Sequence, residues 1–566
     1  MPKAALKNVT ILDLLFAITK RYENVPALKM DERVLTYDDL REQSVNISCA
    51  LIKLEVAPDS RCAILLESRP EWAVAYFGIV SAAGITVPMD VKLSETEMLF
   101  VLNDSEAVCV FTSAHYMDFI LRRRQELPYL KHIFCFDRIE DPQVIDVKTL
   151  TSFYEEVRNR PLEVTPDDTA LIVYTSGTTG IAKGVMISYR NLLFEVQALS
   201  GLVQFSTKDH FISILPLNHL LEITGGLIAP LYGGACVTYC SSLKATSIMK
   251  LMQENQATGM FCVPLILKMF HSGIFKQVEK LPPGGQKLFH RLLQISKYLN
   301  RHGIPFGKIF FRKIHQNFGG HLKCFICGGA PLEREVEEDF AALGFVILQG
   351  YGLTETSPVI AVNSFRHRQI GSVGRPLPGV EVKILKTEDT QGQGEIVVRG
   401  PNVMKGYDKR PDLTAEVIKD GWFRTGDLGY FDKDGFLFIS GRIKNLIVLG
   451  GGKKIFPEEV EEVMMKSPFL KEICVLGRTA TQGLRKGSEE VYAVIVPDWD
   501  RFSVEERADS TKVRSKIQKE IDNQAQHLAE YKHIVGFEIW PEELPKTSTR
   551  KIKRKEVQQR VASGSK

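Results

Sequence analysis

Nothing in this chain reads as a membrane anchor, a disulfide framework or a zinc module. The longest mostly apolar stretch, residues 73–89, falls just short of a comfortable membrane span and is interrupted by Gly78, Gly84 and Pro88. It reads instead as a buried helix running into a buried strand. The N-terminal apolar run stops at Lys20 and Arg21 with no small-residue cleavage site after it, so no secretory signal is expected. Ten cysteines are scattered over 566 residues, and the one close pair is Cys324-Phe-Ile-Cys327. No second CxxC or paired histidine cluster accompanies it, which points to buried thiols in a reducing, cytoplasmic setting. Lys and Arg number 72 against 68 Asp and Glu, a net charge of +4 that is too mild to imply a nucleic-acid partner. Internal repeats and low-complexity tracts are also missing.

What is present is ordinary enzyme composition, 44% hydrophobic and 25% charged, in a chain too long for a single core. Apolar strand-like runs alternate with helical patterns through the first two-thirds: Cys62-Ala-Ile-Leu-Leu, a helical stretch over 71–83, Ile85-Thr-Val-Pro, Ala107-Val-Cys-Val-Phe-Thr and Ala170-Leu-Ile-Val-Tyr. That alternation predicts an α/β fold, with mostly parallel sheets flanked by helices. From about Gly392 short strands sit between glycine turns. A helix then opens at Pro457 with acids in its first turn, a strand covers 489–496, a helix covers 513–529, and a basic tail follows. A large domain over residues 1–442 and a small α+β domain over 443–566 are expected.

The densest local signal is Tyr174-Thr-Ser-Gly-Thr-Thr-Gly-Ile-Ala-Lys-Gly184. A strand precedes it, and Ser188 is placed to cap a helix over 189–199. Gly177 and Gly180 allow the backbone N–H groups to approach a polyphosphate. Thr175, Ser176, Thr178 and Thr179 add hydroxyl donors, and Lys183 adds a cation. It is no Walker A loop, because Lys183 stands between Ala182 and Gly184 rather than in Gly-Lys-Ser/Thr.

This loop resembles the signature of the AMP-forming acyl-CoA synthetases, with Ala182 where that family usually has proline. Further motifs follow in the family's order. Gln349-Gly-Tyr-Gly-Leu-Thr-Glu-Thr-Ser357 resembles the adenine and magnesium segment. The resemblance implies that Tyr351 and Gly352 border adenine, Thr354 contacts phosphate and Glu355 holds Mg²⁺. Gly328-Gly329-Ala330-Pro-Leu resembles the turn beside the adenine and acyl pockets. Trp422-Phe-Arg-Thr-Gly-Asp-Leu428 resembles the ribose segment, with Asp427 as ribose acceptor. Gly441-Arg-Ile-Lys444 resembles the hinge, with Arg442 near the ribose or phosphate and Lys444 as pivot. Gly450, Gly451 and Gly452 would line the thiol's access tunnel. Leu544-Pro-Lys-Thr-Ser-Thr-Arg-Lys-Ile552 resembles the catalytic-lysine motif and implies Lys551, preceded by Arg550 where the family usually has glycine. Leu35-Thr-Tyr-Asp-Asp-Leu40 and Val87-Pro-Met-Asp90 are weaker echoes.

The resemblance implies ATP, Mg²⁺ and CoA, with a medium- or long-chain fatty acid activated as acyl-AMP and then passed to the thiol. The small domain would rotate about Lys444 between the two steps. Leu215-Pro-Leu-Asn-His-Leu-Leu-Glu222 resembles the border of the acyl pocket in fatty-acid members, which points to His219 as well as Gly328; a satisfied buried histidine is the plain alternative. The apolar run 225–235 either lines an acyl channel or packs a core. Residues 281–320 hold no Asp or Glu but seven Lys and Arg among apolar residues. They resemble a basic insertion of long-chain members and suit contact with an anionic membrane, carrier docking or a solvated face. An acyl carrier protein is the alternative acceptor. A nucleotide-binding sensor without catalysis is the alternative from another class.

Overall fold

The computed structural model describes residues 11–150, 164–176, 182–386, 393–449, 453–479, 489–547 and 551–563. The chain forms two compact units, Met1–Glu381 with Val398–Phe423, and Val382–Val397 with Arg424–Lys566.

The first unit is α/β, as the alternation predicts. One sheet runs in the order Gly406–Tyr407, Ala182–Ser188, Thr169–Ser176, Ile85–Pro88, Arg61–Leu65, Cys109–Thr112, His132–Cys135, Val144–Asp146. Its last five strands are mutually parallel. Residues 73–89 become the helix Pro70–Ser81 and the strand Ile85–Pro88, every residue of which is buried. A helix buried on all sides has no polar face, which is why its sequence imitates a membrane span.

The second sheet runs Arg375–Pro376, Ala361–Val362, Ile347–Tyr351, Cys324–Cys327, Gly259–Cys262, His210–Ser213, Cys236–Tyr239, Pro26–Met30, Arg33–Thr36. Cys324 and Cys327 lie in its buried interior strand, where burial pushes the Cys324 thiol up to about 12. A thiol held that far from ionisation is an inert packing group.

The glycine-rich loop does not join a strand to a helix. Thr169–Ser176 and Ala182–Ser188 pair antiparallel, with Thr175 opposite Lys183, and the helix starts only at Tyr189. Val185, Ile187 and Ser188 are buried, and the antiparallel register with Thr169–Ser176 makes residues 182–188 a strand. The helix Tyr189–Val203 runs four residues beyond its expected end. Its Ser188 cap accepts from the Asn191 N–H while Asn191 accepts from the Ser188 N–H, an arrangement contributing about 1 kcal/mol.

In the second unit, Leu470–Thr479, Glu489–Pro497 and Gly536–Ile539 form a sheet covered on both faces. Alternate residues Ile473 and Val475 meet the helices Pro457–Met464 and Ser510–Ala525. Cys474 and Leu476 point the other way, to Val557 of the helix Arg554–Ser563. The helix expected over 513–529 starts earlier, because Asp509 accepts from the Thr511 and Lys512 N–H groups, and it ends at Ala525.

Candidate active site

In the first unit the motif residues gather at the carboxyl ends of adjacent parallel strands, the usual place for a ligand crevice in such sheets. Cys327 pairs with Gln349, so the turn Gly328-Gly329-Ala330 and the turn after Tyr351 leave the sheet side by side. Gly328 is buried, with its N–H donating to the Cys262 carbonyl at 3.2 Å, and Gly329 and Ala330 are exposed. Gly329 has φ +86°, a conformation cheap only for glycine. At Gly352 a Cβ would collide with the Pro358 carbonyl. The half-buried Tyr351 is followed by a tight turn, Thr354–Thr356, that presents Thr354 and Glu355. His219 is half-buried, and its carbonyl accepts from the N–H groups of Glu222 (2.9 Å) and Ile223 (3.1 Å). The neighbouring Leu221 reaches the space beside Gly328.

The glycine-rich loop and the Glu355 turn are joined through a residue that the sequence reading did not select. The Lys183 ammonium sits 4.6 Å from the Tyr407 ring centroid, a cation–π contact. The Tyr407 hydroxyl donates to Glu355 Oε1 at 3.0 Å. Burial, and then the Glu355 carboxylate, raise the phenol's pKa, so it stays a donor. Tyr407 is held there because Gly406 and Tyr407 pair with Met186 and Val185, while the Met404 N–H donates to the Glu355 carbonyl at 2.9 Å. Nothing in its spacing marks Tyr407; only strand pairing brings it to Glu355. The hairpin that carries the loop is pinned from the other side by the Tyr174 hydroxyl, which donates to Asp104 Oδ2 at 2.6 Å. Thr175 is half-buried. Gly177, Thr178, Thr179 and Gly180 lie outside the described residues, as does the Ser176 side chain.

In the second unit Asp427 and Arg442 stand opposite each other on the paired strands Trp422–Phe431 and Leu437–Arg442. Arg442 Nε donates to Asp427 Oδ1 at 2.7 Å, and the carboxylate is buried while the guanidinium is half exposed. Lys444 is exposed in the single turn Ile443–Asn445. Lys551 is exposed at the end of a closed turn. Its carbonyl accepts from the Thr547 N–H at 2.8 Å, and its N–H donates to Thr547 Oγ1 at 3.1 Å. Gly450, Gly451, Gly452 and Arg550 lie outside the described residues.

Residues 15–408 match the family described as AMP-binding enzyme, and residues 459–551 match its C-terminal domain. The chain belongs to the AMP-binding enzyme family. It is an adenylate-forming acyl ligase. It is 30% identical to Fatty acyl-CoA synthetase B of Dictyostelium discoideum, over 78% of this chain and 70% of that protein. It is 29% identical to the chloroplastic long-chain-fatty-acid–[acyl-carrier-protein] ligase AEE15 of Arabidopsis thaliana, over 78% and 71% respectively. The crystal structure of the anthranilate CoA ligase AuaEII with anthranoyl-AMP shares the fold, with a TM-score of 0.81 at 21% identity over the full length of both chains.

Beside His219, the ligase carries a fully buried carboxylic acid. Glu222 opens the π-helix Glu222–Ile228 and bonds Ser213 Oγ at 2.5 Å, while its second oxygen has no hydrogen-bond partner among the described residues. Burial pushes its pKa up to about 8. A raised carboxyl pKa means that the folded state holds the proton where the unfolded state has lost it. The contribution of this group to stability is therefore fully present below about pH 4.5 and is lost as pH rises toward about 8. Glu222→Gln, which cannot ionise, is expected to flatten this decline by on the order of 4 kcal/mol. Denaturant midpoints of both proteins across that pH range measure it.

A separate cleft of about 480 Å³ in the first unit is lined by Arg33, Glu67, Arg69, Glu71, Ser113 and Asp137 among others. Four of its charged side chains pair with one another: Arg69 bonds Glu71 at 2.8 Å and Asp137 at 3.3 Å, and Arg33 also pairs with Glu71.

Proposed function

We propose that the protein joins a medium- or long-chain fatty acid to CoA at the expense of ATP, through an acyl-adenylate. The observation that carries this reading is the Lys183–Tyr407–Glu355 connection, which ties the glycine-rich loop to a carboxylate beside the turns at Gly328 and Tyr351. In the first step a carboxylate oxygen of the acid attacks the α-phosphorus, and the bond to pyrophosphate breaks. In the second the thiolate attacks the acyl carbonyl, and AMP leaves.

Lys183 and the loop hydroxyls hold the phosphates, Tyr351 stacks on adenine, Thr354 bonds phosphate, and Asp427 accepts from the ribose hydroxyls. Arg442 orients Asp427 and faces the same nucleotide. Lys551 meets the negative charge that builds at the α-phosphate. Glu355 fits Mg²⁺, an oxygen-seeking ion commonly bound by one or two carboxylates together with substrate phosphates. No cluster of three acidic, histidine or cysteine side chains competes for the ion among the described residues. When bound, it neutralises phosphate charge. His219, Gly328 and the buried Leu217, Leu220 and Leu227 border the acyl chain. Gly450, Gly451 and Gly452 line the thiol's path, and Lys444 is the pivot between residues 1–442 and 443–566.

The test is pyrophosphate release from ATP and Mg²⁺ across a panel of acids, with and without CoA. Release that requires a fatty acid and turns over with CoA is expected. Release that stalls until an acyl carrier protein is added would move the acceptor to that protein, the reading favoured by the carrier-protein ligase among the relatives. No release with any acid would leave a nucleotide-binding sensor. Tyr407→Phe keeps the ring under Lys183 but removes the bond to Glu355. Losing a hydrogen bond to a charged group should slow adenylation about tenfold. The Mg²⁺ concentration for half-maximal rate should also rise, an effect that a merely structural tyrosine would not produce.

A further inference from the structure

One buried face of the helix Tyr189–Val203 is polar, where burial calls for apolar side chains. Asn191 and Glu195 stand one turn apart on it, 4% and 0% exposed. Asn191 is fully used. Besides its part in the cap, its Nδ2 donates to the Pro401 carbonyl at 2.7 Å and to the Val403 carbonyl at 3.0 Å. Glu195 is less well served. The Val359 N–H faces its carboxyl group, yet neither carboxyl oxygen completes a hydrogen bond among the described residues. Burial raises its pKa well above the usual carboxylate range, so the group keeps its proton. From the other side Asn402 Nδ2 donates to the Val359 carbonyl at 2.9 Å. Asn402 Oδ1 and, two residues before Val359, Ser357 Oγ are likewise buried without a partner among the described residues.

Both segments that this face meets lead to the turn Thr354–Thr356. The Met404 N–H donates to the Glu355 carbonyl at 2.9 Å, and the Ile360 N–H donates to the Tyr351 carbonyl at 2.8 Å. Residues 401–404 and the chain around Val359 therefore brace the turn from two flanks. A leucine at position 195 would fill similar space with no polar atom to desolvate. A buried polar group without a full set of partners calls for an explanation, and such departures from the packing rule concentrate at functional sites. This one backs the segment that presents Glu355.

We propose that Glu195 is a positioning residue for Glu355, acting through Val359 to fix the aim of that carboxylate at the nucleotide's metal ion. The proposal rests on the reading of Glu355 as the ion's carboxylate. The readout is binding rather than turnover: the affinity of the full-length protein for ATP, with Mg²⁺ and with a chelator, by calorimetry. The parent should bind ATP more tightly with Mg²⁺, and Glu355→Gln should remove that gain. Glu195→Leu should lower the gain about tenfold, while affinity in chelator stays within about twofold. Glu195→Gln keeps the shape and an oxygen for the Val359 N–H, so its gain should stay within about twofold of the parent's. A merely structural acid would lower the thermal midpoint without moving the Mg²⁺ gain. Asn402→Ala frees the Val359 carbonyl and should lower the gain in the same direction, which carries the test should Glu195→Leu not fold. A parent without any gain, or a Glu355→Gln variant that retains it, would defeat the ion assignment and the proposal with it. If Glu355→Gln removes the gain while Glu195→Leu and Asn402→Ala keep it, the positioning role alone falls. Equal losses in the Leu and Gln variants of Glu195 would overturn it as well.

Discussion

Lys551→Ala is expected to slow acid-dependent pyrophosphate release by about two to three powers of ten, the usual cost of losing one preorganised charge at a developing anion. The motif offers two described lysines, and their surroundings assign them different work. Lys546 is mostly buried, and its ammonium bonds both Glu472 (2.5 Å) and Glu543 (3.1 Å). Its lysine partners, Lys471 first, hold the Glu543 carboxyl down to about 2. That ammonium anchors the turn. Lys551 stands at the exposed end of the same turn, which is closed by the Thr547 bonds and the pairing of Lys546 with Ile552. Just beyond it, Arg554 fixes the next helix by bonding Glu461 at 2.7 Å and the Val475 carbonyl. A lysine at the braced end of such a turn can present charge with little reorganisation. The rate of acyl-AMP formation and the rate of thioester formation from preformed acyl-AMP separate the two steps. The first should collapse and the second should change less than about threefold. Loss of both in equal measure would remove Lys551 from the adenylation role, and retention of both would move that role to Arg550.

The complementary result is expected at Lys444. Lys444→Pro should lower thioester formation by about two powers of ten while leaving adenylation within about twofold, because a pivot must take different torsions in the two half-reactions. Proline holds φ near −65° and also restricts the residue before it. The turn Ile443–Asn445 is compact, closed by the Leu446 N–H on the Ile443 carbonyl at 3.3 Å and by Asn445 on Glu458 at 2.7 Å. A proline compatible with that conformation would trap it. Single-turnover measurements of the two steps on the same preparation decide the matter. An equal fall in both would mean that residue 444 supports the fold rather than turning it.

The fold class was legible because a buried strand and a buried helix leave different periodicities, and those survive in one dimension. The all-buried stretch 73–89, a helix and then a strand, was recognisable by Gly78, Gly84 and Pro88 despite its membrane-like hydropathy. The strand after the glycine-rich loop was less so. Residues 182–188 are few and carry a lysine and a glycine, and only their pairing with Thr169–Ser176 makes them a strand. Asp427, Arg442 and Glu355 could be picked out because their motifs are local, a few residues long and rich in glycine.

The sequence by itself determined the chemistry available: a loop rich in hydroxyl donors, the carboxylates of Glu355 and Asp427 in short glycine-containing motifs, and a lysine near the C-terminus, on an α/β frame. Tertiary structure alone decided which of these groups touch. It brought Tyr407 between Lys183 and Glu355, and set Arg442 on Asp427. It turned Leu288, Ile295 and Tyr298 outward while burying Phe289 and Leu293 of the same helix. The physical reason is that local pattern records which residues must avoid water, whereas strand register and helix packing choose their neighbours. Those choices depend on partners far away along the chain, as with Glu355 and Tyr407, 52 positions apart.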